Sequence, residues 1–265
     1  MSPAAELRLV EFDRERLERE ADSLRAEYLA ATTWPHVIIR GAFPDEVVAA
    51  AAAECMQLEN EDMLLTAGPA QVKQESASGL GPRTTELLAT LDSDFFKGLI
   101  EKITGVKDPI ADTTHALGGM HRSKQGGFTL IHRDFRRQPE TNLHHRVNML
   151  LYLNPEWHED WGGYLELWPS NMKAVGKRVA PLGNTLLIWE THDQTLHGLP
   201  DPVACPPGVS RVSLASYWYT EKPRETPVKL RRPVFARRPQ DSWKLGRRPP
   251  KQFLKELIAP RRSFF

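Results

Sequence analysis

Cysteine is scarce: Cys55 and Cys205 are the two in 265 residues, far apart and without a partner at metal-site spacing. That argues against a disulfide framework or a cysteine-type zinc site and points to a reducing cytoplasm. Long apolar runs are lacking as well. No window approaches the length of a bilayer span, and "MSPAAELRLVEFDRERLERE" is charged from the start, so neither membrane insertion nor secretion is expected. There is no internal repeat, and the one low-complexity block, "AAAAA" at 49–53, is explained by a helix. What is present is ordinary for a soluble globular protein: 40% hydrophobic and 26% charged residues, in a chain long enough for one large domain or two small ones.

The net charge of +1 hides an asymmetry. From Lys229 to the end there are 12 Lys/Arg against Asp241 and Glu256, a net +10, which leaves −9 on residues 1–228. Such a tail could contact nucleic acid or an acidic partner. It also carries Phe235, Trp243, Phe253, Leu254, Leu257 and Ile258, which a purely solvated arm would not need, and no aromatic-and-basic stacking motif accompanies it. The expectation is therefore a single domain over 1–228, with helical support in 1–110 and a strand-rich core in 111–228, and a basic extension over 229–265 that packs back on it.

Residues 13–31, "DRERLEREADSLRAEYLAA", place Leu17, Leu24, Tyr28 and Leu29 at near-helical spacing among charges and predict an amphipathic helix. "HVIIRGAF" predicts a strand, Pro44 with two acids starts a second helix, and Asp92 or Ser93 with Gly105 bracket another. The first 110 residues read as helices with one or two strands. From Gly118 the texture changes to five short runs, "GGFTLIHRDF", "HRVNMLLYLN", "GGYLELWP", "NTLLIWET" and "RVSLASYWYT", punctuated by Gly, Pro and Asn. That pattern predicts a sandwich or jelly roll rather than alternating βα units.

"IHRDF" at 131–135 raises a chemical question. Side chains alternate along a strand, so His132 and Asp134 share a face while Arg133 points away. The pair suits a divalent metal but needs a third ligand. His144 and His145 lie in a polar turn before a strand, where capping or solvation is the default, and His158 lies in a loop. His197 differs, because it ends a buried strand region at a turn. Two histidines and one carboxylate on one face of an octahedron leave three open positions, the pattern of non-haem Fe(II) oxygenases. Arg211 heads an apolar strand after the third ligand and suits the distal carboxylate of a keto diacid such as 2-oxoglutarate; Ser213 shares its face.

The ordered set "GGMH", "GGFTLIHRDF", "RVNMLLYLNPEW", "WGGYLELW", "GNTLLIW", "LHGLPDPVACPPGVSR" and "SLASYWYT" resembles the prolyl-4-hydroxylase-like branch of the 2-oxoglutarate and Fe(II)-dependent oxygenases, from about Gly118 to Pro223. The resemblance implies a double-stranded β-helix, a cupin-like jelly roll with flanking helices. It implies His132, Asp134 and His197 as iron ligands, Arg211 as the partner of the distal carboxylate, and Tyr152 as a second group reaching it. It also implies O2 as co-substrate, ascorbate as an auxiliary reductant, and hydroxylation of an unactivated C–H bond in an amino-acid, peptide or natural-product substrate, with release of succinate and CO2. In halogenating relatives the position of Asp134 holds a small residue, so its presence favours hydroxylation. His121 is placed to line the pocket, and Arg133, Arg136, Arg137 and Arg146 offer charge to a carboxylate-bearing substrate. Alternatives remain open: a prolyl hydroxylase acting on protein, a cupin-type metalloenzyme without 2-oxoglutarate, or a non-catalytic nucleic-acid binder. The N-terminal helix and the tail each offer a homodimer contact.

Overall fold

The computed structural model describes residues 8–59, 64–67, 71–223 and 235–241. Helix α1 (Arg14–Ala30) starts where Asp13 accepts a hydrogen bond from the Arg16 amide at 2.8 Å. It buries Leu17, Ala21, Leu24 and Tyr28, one stripe at helical spacing, and leaves Leu29 exposed. Strand β1 (His36–Arg40) and helix α2 (Asp45–Gln57) follow, with Pro44 as the residue that caps α2. Strands β2 (Leu64–Ala67) and β3 (Gln71–Ser76) lead to helices α3 (Pro82–Leu91) and α4 (Asp94–Thr104). Gly105 closes α4 at φ 80°, a left-handed conformation that glycine adopts without a Cβ clash.

The rest is β: β4 (Ile110–Ala111), β5 (Gly119–Ser123), β6 (Phe128–His132), β7 (His144–Tyr152), β8 (Leu165–Trp168), β9 (Lys177–Val179), β10 (Thr185–Glu190), β11 (Leu196–Leu199) and β12 (Arg211–Thr220). Ten strands pair antiparallel in the order β1-β10-β7-β12-β5-β3-β6-β11-β8-β9, with β2 added on β3 and β4 on β12, both antiparallel. The sheet curls into a half-barrel jelly roll, with β3 joining the two halves through pairs to both β5 and β6.

Strands β7, β10 and β12 are apolar on both faces because both faces are covered. Val147, Met149 and Leu151, with Leu186, Ile188, Val212 and Leu214, pack against α1 to α4 in the larger core cluster. The alternate residues Leu150 and Tyr152, with Leu187, Trp189 and Ala215, form a second cluster that fills the barrel with Trp34, Leu165, Leu167 and Val179. Period-two alternation thus sorts each strand into a helix-facing and a barrel-facing set.

Three expectations need correction. The N-terminal 110 residues contribute more strands than one or two, since β1, β2 and β3 precede α3 and β4 begins at Ile110. Strands β5, β9 and β11 fall outside the five apolar runs; each has at most five residues and mixes polar with apolar types, so its strand state comes from pairing partners rather than from local pattern. Strand β6 stops at His132, and Asp134 lies beyond its end. Among the described residues no helix is long and apolar enough to cross a membrane.

Candidate active site

His132 ends β6, His197 is the second residue of β11, and the two are direct partners across that antiparallel pair. Their rings lie 4.7 Å apart. Each ring nitrogen Nδ1 faces the carbonyl two residues earlier: His132 to Leu130 at 2.8 Å and His197 to Thr195 at 3.1 Å. That contact makes Nδ1 the donor and leaves Nε2 as the ring atom available to a ligand. Asp134 Oδ1 stands 3.8 Å from His132 Nε2 and 3.7 Å from His197 Nε2. Its other oxygen, Oδ2, accepts from Asn148 Nδ2 at 2.8 Å.

One ligand atom from each of His132, Asp134 and His197 falls within 4.8 Å of the others, so the three could hold one metal ion. The strand pair brings the histidines together, and the chain turning away after β6 still brings the carboxylate back to them. Burial, with His197 close by, holds the His132 pKa down at about 4, so the ring is neutral at physiological pH. For Asp134, burial alone would push the pKa up, but His197, His145, His132 and the Asn148 bond outweigh it and hold the carboxyl below its ordinary value. Two imidazoles and one carboxylate fit a borderline divalent cation.

Deeper in the barrel, Arg211 is buried at the start of β12. Its Nε donates to the Gly163 carbonyl at 2.8 Å and Nη2 to the Tyr152 hydroxyl at 3.1 Å, and the guanidinium lies 4.9 Å from the Tyr152 ring centroid. Ser213 is opposite Tyr152 across β12 and β7, and its hydroxyl is buried without a partner among the described residues. A guanidinium, a phenol and an unpartnered hydroxyl together suit an incoming carboxylate. Burial pushes the Tyr152 pKa up, partly offset by Arg211, which keeps the phenol a donor. Gly163, at φ 71°, leaves room where a Cβ would stand 2.9 Å from Trp157.

Other expectations fare differently. His121 lies across from Ser213 on one side and Glu75 on the other, with Nε2 3.3 Å from Glu75, and so joins the same cross-strand row. His145 is buried rather than solvated, its ring 5.0 Å from Tyr217 and 4.9 Å from Tyr219, with Nδ1 3.1 Å from the Phe135 carbonyl. The arginines around β6 already have internal acceptors: Arg133 and Arg136 meet Asp193, Arg137 donates to the Asn142 carbonyl, and Arg146 pairs with Glu190. Trp189 packs edge-on against His197 at 5.1 Å, a wall rather than a cofactor contact. Asn148 was missed; a buried amide on the same face as Leu150 and Tyr152 in an otherwise apolar strand was the available signal.

Residues 118–219, which include all six of the residues named for metal and co-substrate, match the family model of the 2OG-Fe(II) oxygenase superfamily. That stretch is a 2OG-Fe(II) oxygenase domain. Solved structures share the fold of this oxygenase. A prolyl-4-hydroxylase of Pseudomonas putida matches with TM-score 0.55 at 19% identity, over 76% of this chain and 100% of that one. A prolyl hydroxylase of Trichoplax adhaerens, in complex with a hypoxia inducible factor oxygen degradation domain peptide fragment, matches with TM-score 0.58 at 16% identity, over 78% and 92%. HygX of Streptomyces hygroscopicus, with nickel and 2-oxoglutarate bound, matches with TM-score 0.51 at 11% identity, over 74% and 86%. No curated protein matches the oxygenase by sequence. Fe(II) and 2-oxoglutarate are its cofactor and co-substrate.

Proposed function

We propose that this oxygenase hydroxylates an unactivated C–H bond of an amino-acid, peptide-like or natural-product substrate, with His132 and His197 holding Fe(II) through Nε2 and Asp134 through one oxygen. Arg211, Tyr152 and Ser213 hold the distal carboxylate of 2-oxoglutarate. The observation that carries this reading is the coexistence, in one barrel, of a three-ligand cluster and a buried cation beside an unpartnered hydroxyl. Iron with 2-oxoglutarate and O2 supplies the oxidising power, yielding succinate, CO2 and a hydroxylated product.

The chain's own residues set the conditions. Neutral His132 presents a lone pair at physiological pH, and Asn148 holds Asp134 so that a single oxygen faces the histidines. Arg211 neutralises a carboxylate that would otherwise be buried alone, and Trp189, Leu150 and Leu187 make the wall that excludes water. Asp134, where halogenating relatives have a small residue, supports hydroxylation. Because the arginines around β6 are internally paired, support for an amino-acid or peptide-like substrate rests on the Trichoplax complex with its peptide. Two buried free thiols, Cys55 and Cys205, agree with a cytoplasmic location. We read 1–228 as the oxygenase domain and 229–265 as an extension packed on it; the contacts of 235–241 support this, while Trp243, Phe253, Leu254, Leu257 and Ile258 lie outside the described residues.

The test is an anaerobic titration with Fe(II) and 2-oxoglutarate followed by succinate measurement on admitting O2 with candidate substrates. Arg211→Met should raise KM for 2-oxoglutarate by roughly a hundredfold, about 3 kcal/mol for a charged, two-bond contact. Full succinate release by that variant at ordinary 2-oxoglutarate would defeat the anchor. Turnover of neutral compounds alone would defeat the substrate class.

A further inference from the structure

A buried cluster of charges lies outside the metal triad and the carboxylate anchor. Glu166 on β8 is 2% exposed and accepts from Arg178 at 2.7 Å and from the Trp168 indole at 2.9 Å. Arg238, whose side chain is 5% exposed, adds Nη1 at 3.4 Å from Glu166 and a two-bond contact to Asp201 at 2.8 and 2.6 Å. Asp241 completes the cage, taking the Arg238 Nε at 2.9 Å and its backbone amide at 2.9 Å. A guanidinium this enclosed persists only if it is paired, and two of its carboxylates, Glu166 and Asp201, come from the barrel rather than from its own segment. The contact therefore fixes where the segment lies.

What the segment does follows from its next residues. The Ala236 amide donates to the Ile131 carbonyl at 2.7 Å, and Ala236 packs on the Ile131, Trp168 and Leu196 cluster. Phe235 then stands with its ring 5.9 Å from that of His132. His132 is the most open of the three candidate ligands, its side chain 24% exposed against 13% for Asp134 and 7% for His197. The triad is thus most open to solvent at His132, and that is where Phe235 sits.

We propose that residues 235–241 form a fixed strap at the mouth of the iron site, in which Arg238 is the positioning residue and Phe235 is a specificity-determining wall that shields His132 and meets an aliphatic or ring-shaped part of the substrate. This rests on the reading of His132, Asp134 and His197 as the iron ligands. A strap held by a salt-bridge cage puts an apolar surface beside the target carbon without using any of the ligands' own contacts.

The test is the rate at which chelators of two sizes, 2,2′-bipyridine and bathophenanthroline disulfonate, strip Fe(II) from the anaerobic holoprotein. Phe235→Ala should speed removal on the order of tenfold, and more for the bulkier chelator. Phe235→Leu should restore the slow rate, because apolar bulk returns. Arg238→Met should match Phe235→Ala, and the double variant should be no faster than either, as two residues acting through one strap require. Equal rates in wild type and Phe235→Ala, with Fe(II) bound tightly by both, would overturn the strap and leave the iron reading standing. This comparison stands even if Arg238→Met fails to fold. Failure of the wild-type chain to take up Fe(II) would overturn the iron reading and the strap together.

Discussion

The side-chain amide of Asn148 donates to one oxygen of Asp134, and the other oxygen is left 3.7 and 3.8 Å from two imidazole nitrogens. Without that bond the carboxylate is free to rotate, and a group that orients a ligand typically accounts for about 10–100-fold in metal affinity. Asn148→Ala should therefore weaken Fe(II) binding by that range in an anaerobic titration; unchanged affinity would make the amide a bystander. Ser213 makes a complementary case. Its buried hydroxyl has no partner among the described residues, so Ser213→Ala removes nothing from the ligand-free protein and should leave its stability unchanged or raised. The same change should raise KM for 2-oxoglutarate by roughly fivefold, about 1 kcal/mol for one hydrogen bond. A variant that lost stability yet kept KM would place the hydroxyl in the scaffold instead.

Strand β11 is held so close to β6 that a Cβ on Gly198 would sit 2.7 Å from the Leu130 carbonyl oxygen and 2.8 Å from that of Thr129. The Leu130 carbonyl is the one that holds His132 Nδ1, so a wedge at Gly198 moves both histidines at once. Gly198→Ala should cost about 1–3 kcal/mol in a denaturant titration and also impair Fe(II) binding. Gly183→Ala, equally tight against the Asn154 carbonyl at 2.7 Å but far along the chain from the ligands, should cost stability with little effect on the metal. On the helical side, Asp92 at the end of α3 accepts from Ser216 of β12 at 2.6 Å, and its pKa is pushed up to about 7 by burial, with Asp112 adding to it and Ser216 opposing. The α3 carbonyl end also disfavours a negative charge there. His115, 3.3 Å away, has its pKa pushed down by burial, so it offers the carboxyl little compensating charge. Between about pH 4, where an unfolded aspartate loses its proton, and pH 7, the folded chain holds a proton that the unfolded chain releases. Stability should fall as pH rises through that window, by an amount on the order of a few kcal/mol, and then level off. Asp92→Asn should flatten the slope of unfolding midpoint against pH between 5 and 8; a slope equal to wild type would move the titration elsewhere.

Across the whole molecule, the candidate ligands and the residues that orient them come from both halves of the barrel: His132 and His197 from β6 and β11, Asn148, Tyr152, Arg211 and Ser213 from β7 and β12. A ligand set shared in this way ties the halves together, so occupancy should stabilise the folded state by mass action, about 2.7 kcal/mol at a hundredfold excess over Kd. Calorimetry should show Tm rising with Mn(II), a redox-inert stand-in, plus 2-oxoglutarate, and falling back with EDTA. No shift would mean that the ions are not taken up at these residues. The charge asymmetry of the chain also finds a local expression at this scale. Arg238 of the basic tail lies in a cage with Glu166 and Asp201 of the acidic body, and Phe235 of the same tail reaches His132.

The sequence by itself determined the class of fold and the chemical vocabulary of the site. Apolar runs between Gly, Pro and Asn have one economical outcome, a curled antiparallel sheet, and two imidazoles with an acid and a following arginine name their own chemistry. His132 and Asp134 were readable because they are two residues apart. His197, 65 positions from His132, was named from its place after a buried run and from the resemblance, but the pairing of β11 with β6 that puts the two rings side by side was not legible, because β11 has no apolar pattern of its own. Asn148, His145 and Arg238 were hidden for the same reason. A polar residue shows its role only when burial has removed water and left a particular partner within reach, and that is decided by tertiary packing.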